Sequence, residues 1–187
     1  MKKVVLILLS MIMFAIPVRA YEAIVVMDAD SKRVLYDVNA NSKYLIASTT
    51  KIMTALVAIN YGKLDEIVTA GDEIMDAYGS SIYLKPQERM SLRDLIYGLL
   101  LRSGNDAALT IAVNVAGSVE GFVKLMNDTA LGIGMHDTVF ENPHGLDEKT
   151  ENKSTVYDMA LLMVEAMKSP EFRNITSAKK YDVESNF

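Results

Sequence analysis

Between residues 48 and 168, five stretches of helix length repeat apolar residues at the three-and-four spacing of a helix with a buried face. Ser48 to Tyr61 carries Ile52, Met53, Leu56, Val57 and Ile59, and Gly62 stops it. Ser91-Leu92-Arg93-Asp94 has the form of a capping box and opens a helix through Leu101. Asp106 to Ala116 reads as a buried helix closed by Gly117, and Ser118 to Leu131 as another ending at Gly132 and Gly134. Ser154, helped by Thr155 and Asp158, opens a further helix to about Lys168, ahead of Pro170. Only two strands precede this block. Ala23–Met27 and Arg33–Tyr36, joined by the turn residues Asp28 to Lys32, read as a β-hairpin. Leu64 to Met90 has no clear period, and Lys179 to Val183 reads as the start of another strand. A hairpin alone is marginal in water, so these strands need sheet partners or a covering helix. The pattern is that of an α+β domain whose sheet is cut short.

The first twenty residues read differently. Met1-Lys2-Lys3 is followed by an apolar run from Val4 to Ile16, then Val18-Arg19-Ala20. This is the layout of a signal peptide cleaved after Ala20, and the run is too short to span a bilayer comfortably. An uncleaved anchor is the plain alternative. Residues 21–187 then form one exported domain. The chain carries a net charge of −5, and the leader takes away Lys2, Lys3 and Arg19 but no acid, leaving −8. Such a balance argues against nucleic acid as a partner. There is no cysteine, which excludes a thiol nucleophile, a disulfide framework and a thiolate metal site.

Ala47-Ser48-Thr49-Thr50-Lys51 places a serine three residues ahead of a lysine at a helix start. On a helix these side chains lie one turn apart on the same face. A serine hydroxyl becomes a nucleophile once an adjacent base takes its proton, and an amine can be that base. Alone the spacing is weak: Ser177-Ala178-Lys179-Lys180 also fits, and Ser48 read plainly is a helix cap. A second element is Ser103-Gly104-Asn105, on a turn between two apolar helices. A hydroxyl and a carboxamide there can relay a proton and orient an amide substrate. Its plain reading is a polar turn in which Asn105 caps the next helix.

With their flanks, the two elements resemble the penicilloyl-serine transferases, and more narrowly the serine-type D-alanyl-D-alanine carboxypeptidases. The resemblance rests on five blocks in order: Ala29-Asp30 through Val34-Leu35-Tyr36, Ala47 to Leu56, Leu99 to Ala108, Phe140-Glu141-Asn142-Pro143-His144-Gly145-Leu146, and Ser154 to Ala160. It implies a serine β-lactamase/transpeptidase-like fold, with an antiparallel sheet and flanking helices, an all-helical subdomain, and an active site between them. It implies that Ser48 is the acyl-enzyme nucleophile and Lys51 its general base. Ser103 would help shuttle the proton to the leaving D-alanine, and Asn105 would hold the substrate amide. The implied partners are peptidoglycan stem peptides ending in D-Ala-D-Ala and β-lactams, with no cofactor.

The sequence departs from the family in one respect. A third element, Lys-Thr-Gly or Lys-Ser-Gly on a strand, is absent; Lys149-Thr150-Glu151 and Lys153-Ser154-Thr155 lack the glycine. The resemblance assigns that element an oxyanion donor and the cation that binds the substrate carboxylate. Losing one such donor typically costs about 10²–10³ in rate. Residues 21–187 are therefore expected to be a fragment of little or no activity. A class A β-lactamase would need a glutamate to activate water, and Glu141 lies in the right region but in a carboxypeptidase context. A non-catalytic muropeptide- or penicillin-binding module is the remaining alternative. His136 and His144 suit neither a helix ligand pair nor a triad and read as structural.

Overall fold

The structure, a computed structural model, describes residues 23–183; the leader read over residues 1–20 lies outside them. The hairpin forms as β1 (Ile24–Met27) and β2 (Val34–Val38), antiparallel, with an irregularity at Val26/Met27. Asp28 closes the turn by accepting from the N–H and hydroxyl of Ser31. β3 (Tyr44–Leu45) leads into a single 3₁₀ turn, Ala47–Thr49, and then α1 (Thr50–Tyr61), which Gly62 ends. The stretch without a clear period resolves into β4 (Ile67–Thr69), a 3₁₀ turn at Asp72–Asp76, an irregular loop and β5 (Arg89–Ser91). α2 (Leu92–Arg102) starts at the expected capping box, with Ser91 Oγ and the Asp94 carboxylate each taking the other's N–H.

α3 (Asn105–Ala116) and α4 (Val119–Ile133) follow after tight turns, and both end on a left-handed glycine, Gly117 and Gly134. β6 (Lys153–Ser154) precedes α5 (Val156–Ala166) and α6 (Pro170–Ser177). Three expectations are corrected. Thr155, not Ser154, caps α5: its hydroxyl accepts from the Asp158 N–H, while Ser154 pairs with Tyr44 in the β3–β6 ladder. Pro170 does not merely end a helix but begins α6, where a missing N–H costs nothing in the first turn. Lys179–Val183 forms no strand; Tyr181 instead stacks on Tyr97 of α2 and its hydroxyl donates to Asp94 at 2.6 Å.

Among the described residues the sheet is three separate antiparallel pairs, β1–β2, β3–β6 and β4–β5, set around the helices. The hairpin rests on α5, which supplies the cover it needs. α1 lies at the centre and packs against all five other helices. It is buried around most of its circumference: Met53, Ala55, Leu56, Val57 and Ala58 are at most 2% exposed, and Thr50, Lys51 and Thr54 are buried with them. A helix buried on all sides belongs in a core. Phe122, Phe140 and Phe172 close that core from α4, the following loop and α6. Each buried phenylalanine contributes about 1.5–3 kcal/mol.

Candidate active site

Ser48 sits on the 3₁₀ turn that feeds α1, with its residue exposed to solvent. The preceding Ala47 holds φ +44, a left-handed conformation that is costly for a residue with a Cβ. One turn on, Lys51 is 3% exposed, because α1 is central and carries its lysine into the core. The Lys51 Nζ lies 3.3 Å from Ser48 Oγ, as the spacing predicts. It also donates to the main-chain carbonyl of His144 at 2.7 Å. Burial lowers the Lys51 pKa to about 8. About one molecule in ten then carries the neutral amine at pH 7.

The segment that brings His144 to Lys51 is the Phe140–Leu146 block. Its approach depends on Gly145, which has φ +87; a Cβ there would overlap the carbonyl of Ala47. Two buried asparagines staple it. Asn142 Oδ1 accepts the N–H groups of His144 and Gly145, and its Nδ2 donates to Leu146 O and Thr150 Oγ1. Asn152 Oδ1 accepts from Glu141 N and Asn142 N, and its Nδ2 donates to Thr50 Oγ1 and Asn142 O. Thr54 Oγ1 adds a bond to Pro143 O at 2.6 Å. Thr50 and Thr54 belong to α1, so the loop is bonded directly to the helix that carries Lys51.

His144 is neutral here. Burial first, and the Lys51 charge second, push its pKa down to about 4. Its Nδ1 accepts from the Leu146 N–H. The sequence reading of His144 as structural missed the part its carbonyl plays, because a main-chain oxygen leaves no residue-type signal. Asn142 was legible only as part of its block, and Asn152 carried no signal of its staple.

The second element sits on the turn between α2 and α3. Ser103 is half-buried and caps α2 in the left-handed conformation, φ 56. No hydrogen bond joins it to Lys51 among the described residues. Asn105 does not cap α3; the cap position is Gly104, and Asn105 is the first residue of the helix. Its Nδ2 donates to Tyr78 O at 2.5 Å, while Oδ1 is buried without a partner among the described residues. The structure thus joins Ser48 to Lys51 and places Ser103 at the end of α2 and Asn105 at the start of α3, with α1 packed on both helices. Glu141 is exposed and its carboxylate accepts the Glu151 N–H at 2.7 Å, a loop-holding role. No group of acidic or histidine side chains among the described residues could hold a metal ion.

Residues 14–187 are matched by the sequence profile of the peptidase S11 family, described as D-alanyl-D-alanine carboxypeptidase. The chain belongs to this family. It is 37% identical over 157 residues to the D-alanyl-D-alanine carboxypeptidase DacF of Bacillus subtilis, covering 81% of this chain and 40% of that protein. It is 42% identical over 149 residues to DacC of Escherichia coli, covering 74% and 37%. Its fold superimposes on the D-alanyl-D-alanine carboxypeptidase of Mycobacterium tuberculosis with a TM-score of 0.83 at 34% identity, covering 88% of this chain and 62% of that one. Penicillin-binding protein 6B of Escherichia coli gives a TM-score of 0.81 at 34% identity, with 88% and 56% covered. The chain therefore has the penicillin-binding DD-peptidase fold, as its sequence blocks imply, and spans about two fifths of the length of these two curated relatives.

Proposed function

We propose that this peptidase S11 chain carries the nucleophilic half of an exported serine D-Ala-D-Ala carboxypeptidase. Ser48 attacks the carbonyl carbon of the penultimate D-alanine of a peptidoglycan stem peptide, and its hydroxyl proton passes to neutral Lys51. The peptide C–N bond breaks, the proton is delivered to the departing D-alanine amine, and the acyl group stays on Ser48 Oγ. Water then hydrolyses the ester and regenerates the serine. Ser103 is assigned to the proton path towards the leaving amine, and Asn105 to the substrate amide. β-Lactams would acylate the same Ser48 oxygen. Residues 1–20 would direct the chain to the outer face of the membrane.

The observation that carries this reading is the pairing of Ser48 with a buried Lys51 whose pKa is about 8. A neutral amine has two N–H groups and one lone pair. One N–H can stay on His144 O while the lone pair takes the serine proton. The family match favours the carboxypeptidase over a class A β-lactamase, and so does Glu141, whose carboxylate is engaged in its own loop. Residues 21–187 contain no Lys-Thr-Gly or Lys-Ser-Gly. Taken by themselves they are expected to turn over D-Ala-D-Ala peptides slowly or not at all. Intact mass after incubation with benzylpenicillin, beside the Ser48→Ala variant, tests the proposal. One penicilloyl adduct lost in the variant supports it. No adduct on folded protein would refute Ser48 as a self-sufficient nucleophile in this chain.

A further inference from the structure

The loop between Tyr78 and Leu84 has no regular structure, yet two consecutive residues of α3 hold it from both sides. Asn105 takes its carbonyls: Asn105 Nδ2 donates to Tyr78 O and the Asn105 N–H to Ser80 O at 2.8 Å. Asp106 takes its donors: its carboxylate accepts Ser81 Oγ at 2.5 Å, Ile82 N at 3.1 Å and Leu84 N at 2.9 Å. Asp106 is 3% exposed, and its remaining contact is the Ala107 N–H of its own first turn. A carboxylate at a helix N-terminus meets the positive end of the helix dipole. The loop between these anchors includes two left-handed residues, Gly79 at φ +80 and Tyr83 at φ +64. A Cβ at Gly79 would press on Asn105 Nδ2 at 3.3 Å. Among the described residues, Tyr78 O is the one partner of the Asn105 carboxamide, so the loop decides how that carboxamide points.

We propose that Asp106 is a positioning residue: by clamping the Tyr78–Leu84 loop it fixes the direction of the Asn105 carboxamide, whose buried Oδ1 has no protein partner among the described residues and meets a substrate amide N–H only once the turn yields to the ligand. This rests on the reading of Asn105 as the substrate-amide ligand. A neutral Asn at 106 would turn an amide N–H2 toward donors or lose an acceptor, so the loop would be released while the helix remains.

The test is Asp106→Asn in the full chain, read first by NMR without substrate. Amide exchange at Ile82 and Leu84 should quicken by about tenfold or more, and the Asn105 carboxamide signal should shift, while Met53 and Leu56 of α1 stay protected. A carboxamide signal unchanged when the loop amides are freed would overturn the proposal. So would a loss of protection spread equally over α1, which would make Asp106 a general stabiliser. If Asp106→Asn does not fold, Ser81→Ala removes the loop end of the same clamp and is read in the same way. Acylation by benzylpenicillin supplies the functional arm. Asp106→Asn should slow it about tenfold or more in the parent and less than about twofold in an Asn105→Ala background, since the residue acts through Asn105. Equal losses in both backgrounds would overturn the proposal. Absence of acylation in the parent would count against the Ser48 reading instead, and the carboxamide signal would still decide the role of Asp106.

Discussion

Lys51 Nζ donates to the carbonyl oxygen of His144 at 2.7 Å, across 93 positions of sequence. The same Nζ lies 3.3 Å from Ser48 Oγ, so one amine bridges the serine and the distant loop. Its orientation comes from that carbonyl, and its desolvation from the burial of α1.

The pH dependence of acylation follows from the lowered Lys51 pKa. In the proposed mechanism the proton acceptor is the neutral amine, whose fraction rises about tenfold per pH unit below about 8 and levels off above it. Penicillin acylation rates measured from pH 6 to 10 should follow that curve. Lys51→Ala should lower the plateau by at least about 10³-fold. A flat profile between pH 6 and 8 would remove Lys51 from the role of base.

Acid should loosen the site through His144. Its folded pKa, about 4, lies below the ordinary value of 6.5. Between these two values the unfolded chain binds more protons than the folded one, so stability rises with pH across that window and falls on acidification through it. His144→Gln should flatten the slope of stability against pH between 6.5 and 4 in urea titrations. An unchanged slope would assign the acid sensitivity to carboxylates alone.

Gly145→Ala should be damaging for a small change. The position needs φ +87, and the added methyl meets the Ala47 carbonyl backbone, which cannot swing aside as a side chain would. A loss of at least about 2 kcal/mol is expected. Because the displaced loop carries His144 O, acylation should fall as well, and the Lys51 pKa should move back towards 10.5.

Asn152→Ala removes five hydrogen bonds at a residue 3% exposed and leaves the N–H groups of Glu141 and Asn142 without their acceptor. A cost of about 3 kcal/mol is expected in chemical denaturation, against about 0.5 kcal/mol or less for the exposed Lys43→Ala. Comparable small losses for both would show that the staple is not a main support of the loop.

The helices were legible because their signals are local. Ser91 and Asp94 announce α2, Gly117 and Gly134 close α3 and α4, and α1 shows its apolar spacing. β3 and β6 were not, since two-residue strands have no period to detect and exist only because Tyr44 meets Ser154. α6 has no such signal, because a proline after a helix suits a terminator and a first turn equally.

From sequence alone, the three-residue spacing brings Ser48 and Lys51 within reach across a helical start, and the structure keeps that spacing although Ser48 lies on the 3₁₀ turn just ahead of α1. The break between two apolar helices at Ser103–Asn105 was equally local, though Asn105 itself opens α3. What surrounds these residues came from the tertiary fold. Lys51 is desolvated because α1 is packed on every side, its amine is aimed by a carbonyl from residue 144, and Asn105 is oriented by a loop that Asp106 holds 22 to 25 positions away. These contacts depend on where distant backbone atoms come to rest. Every residue presents the same carbonyl and N–H, so composition and periodicity do not encode which of them meet.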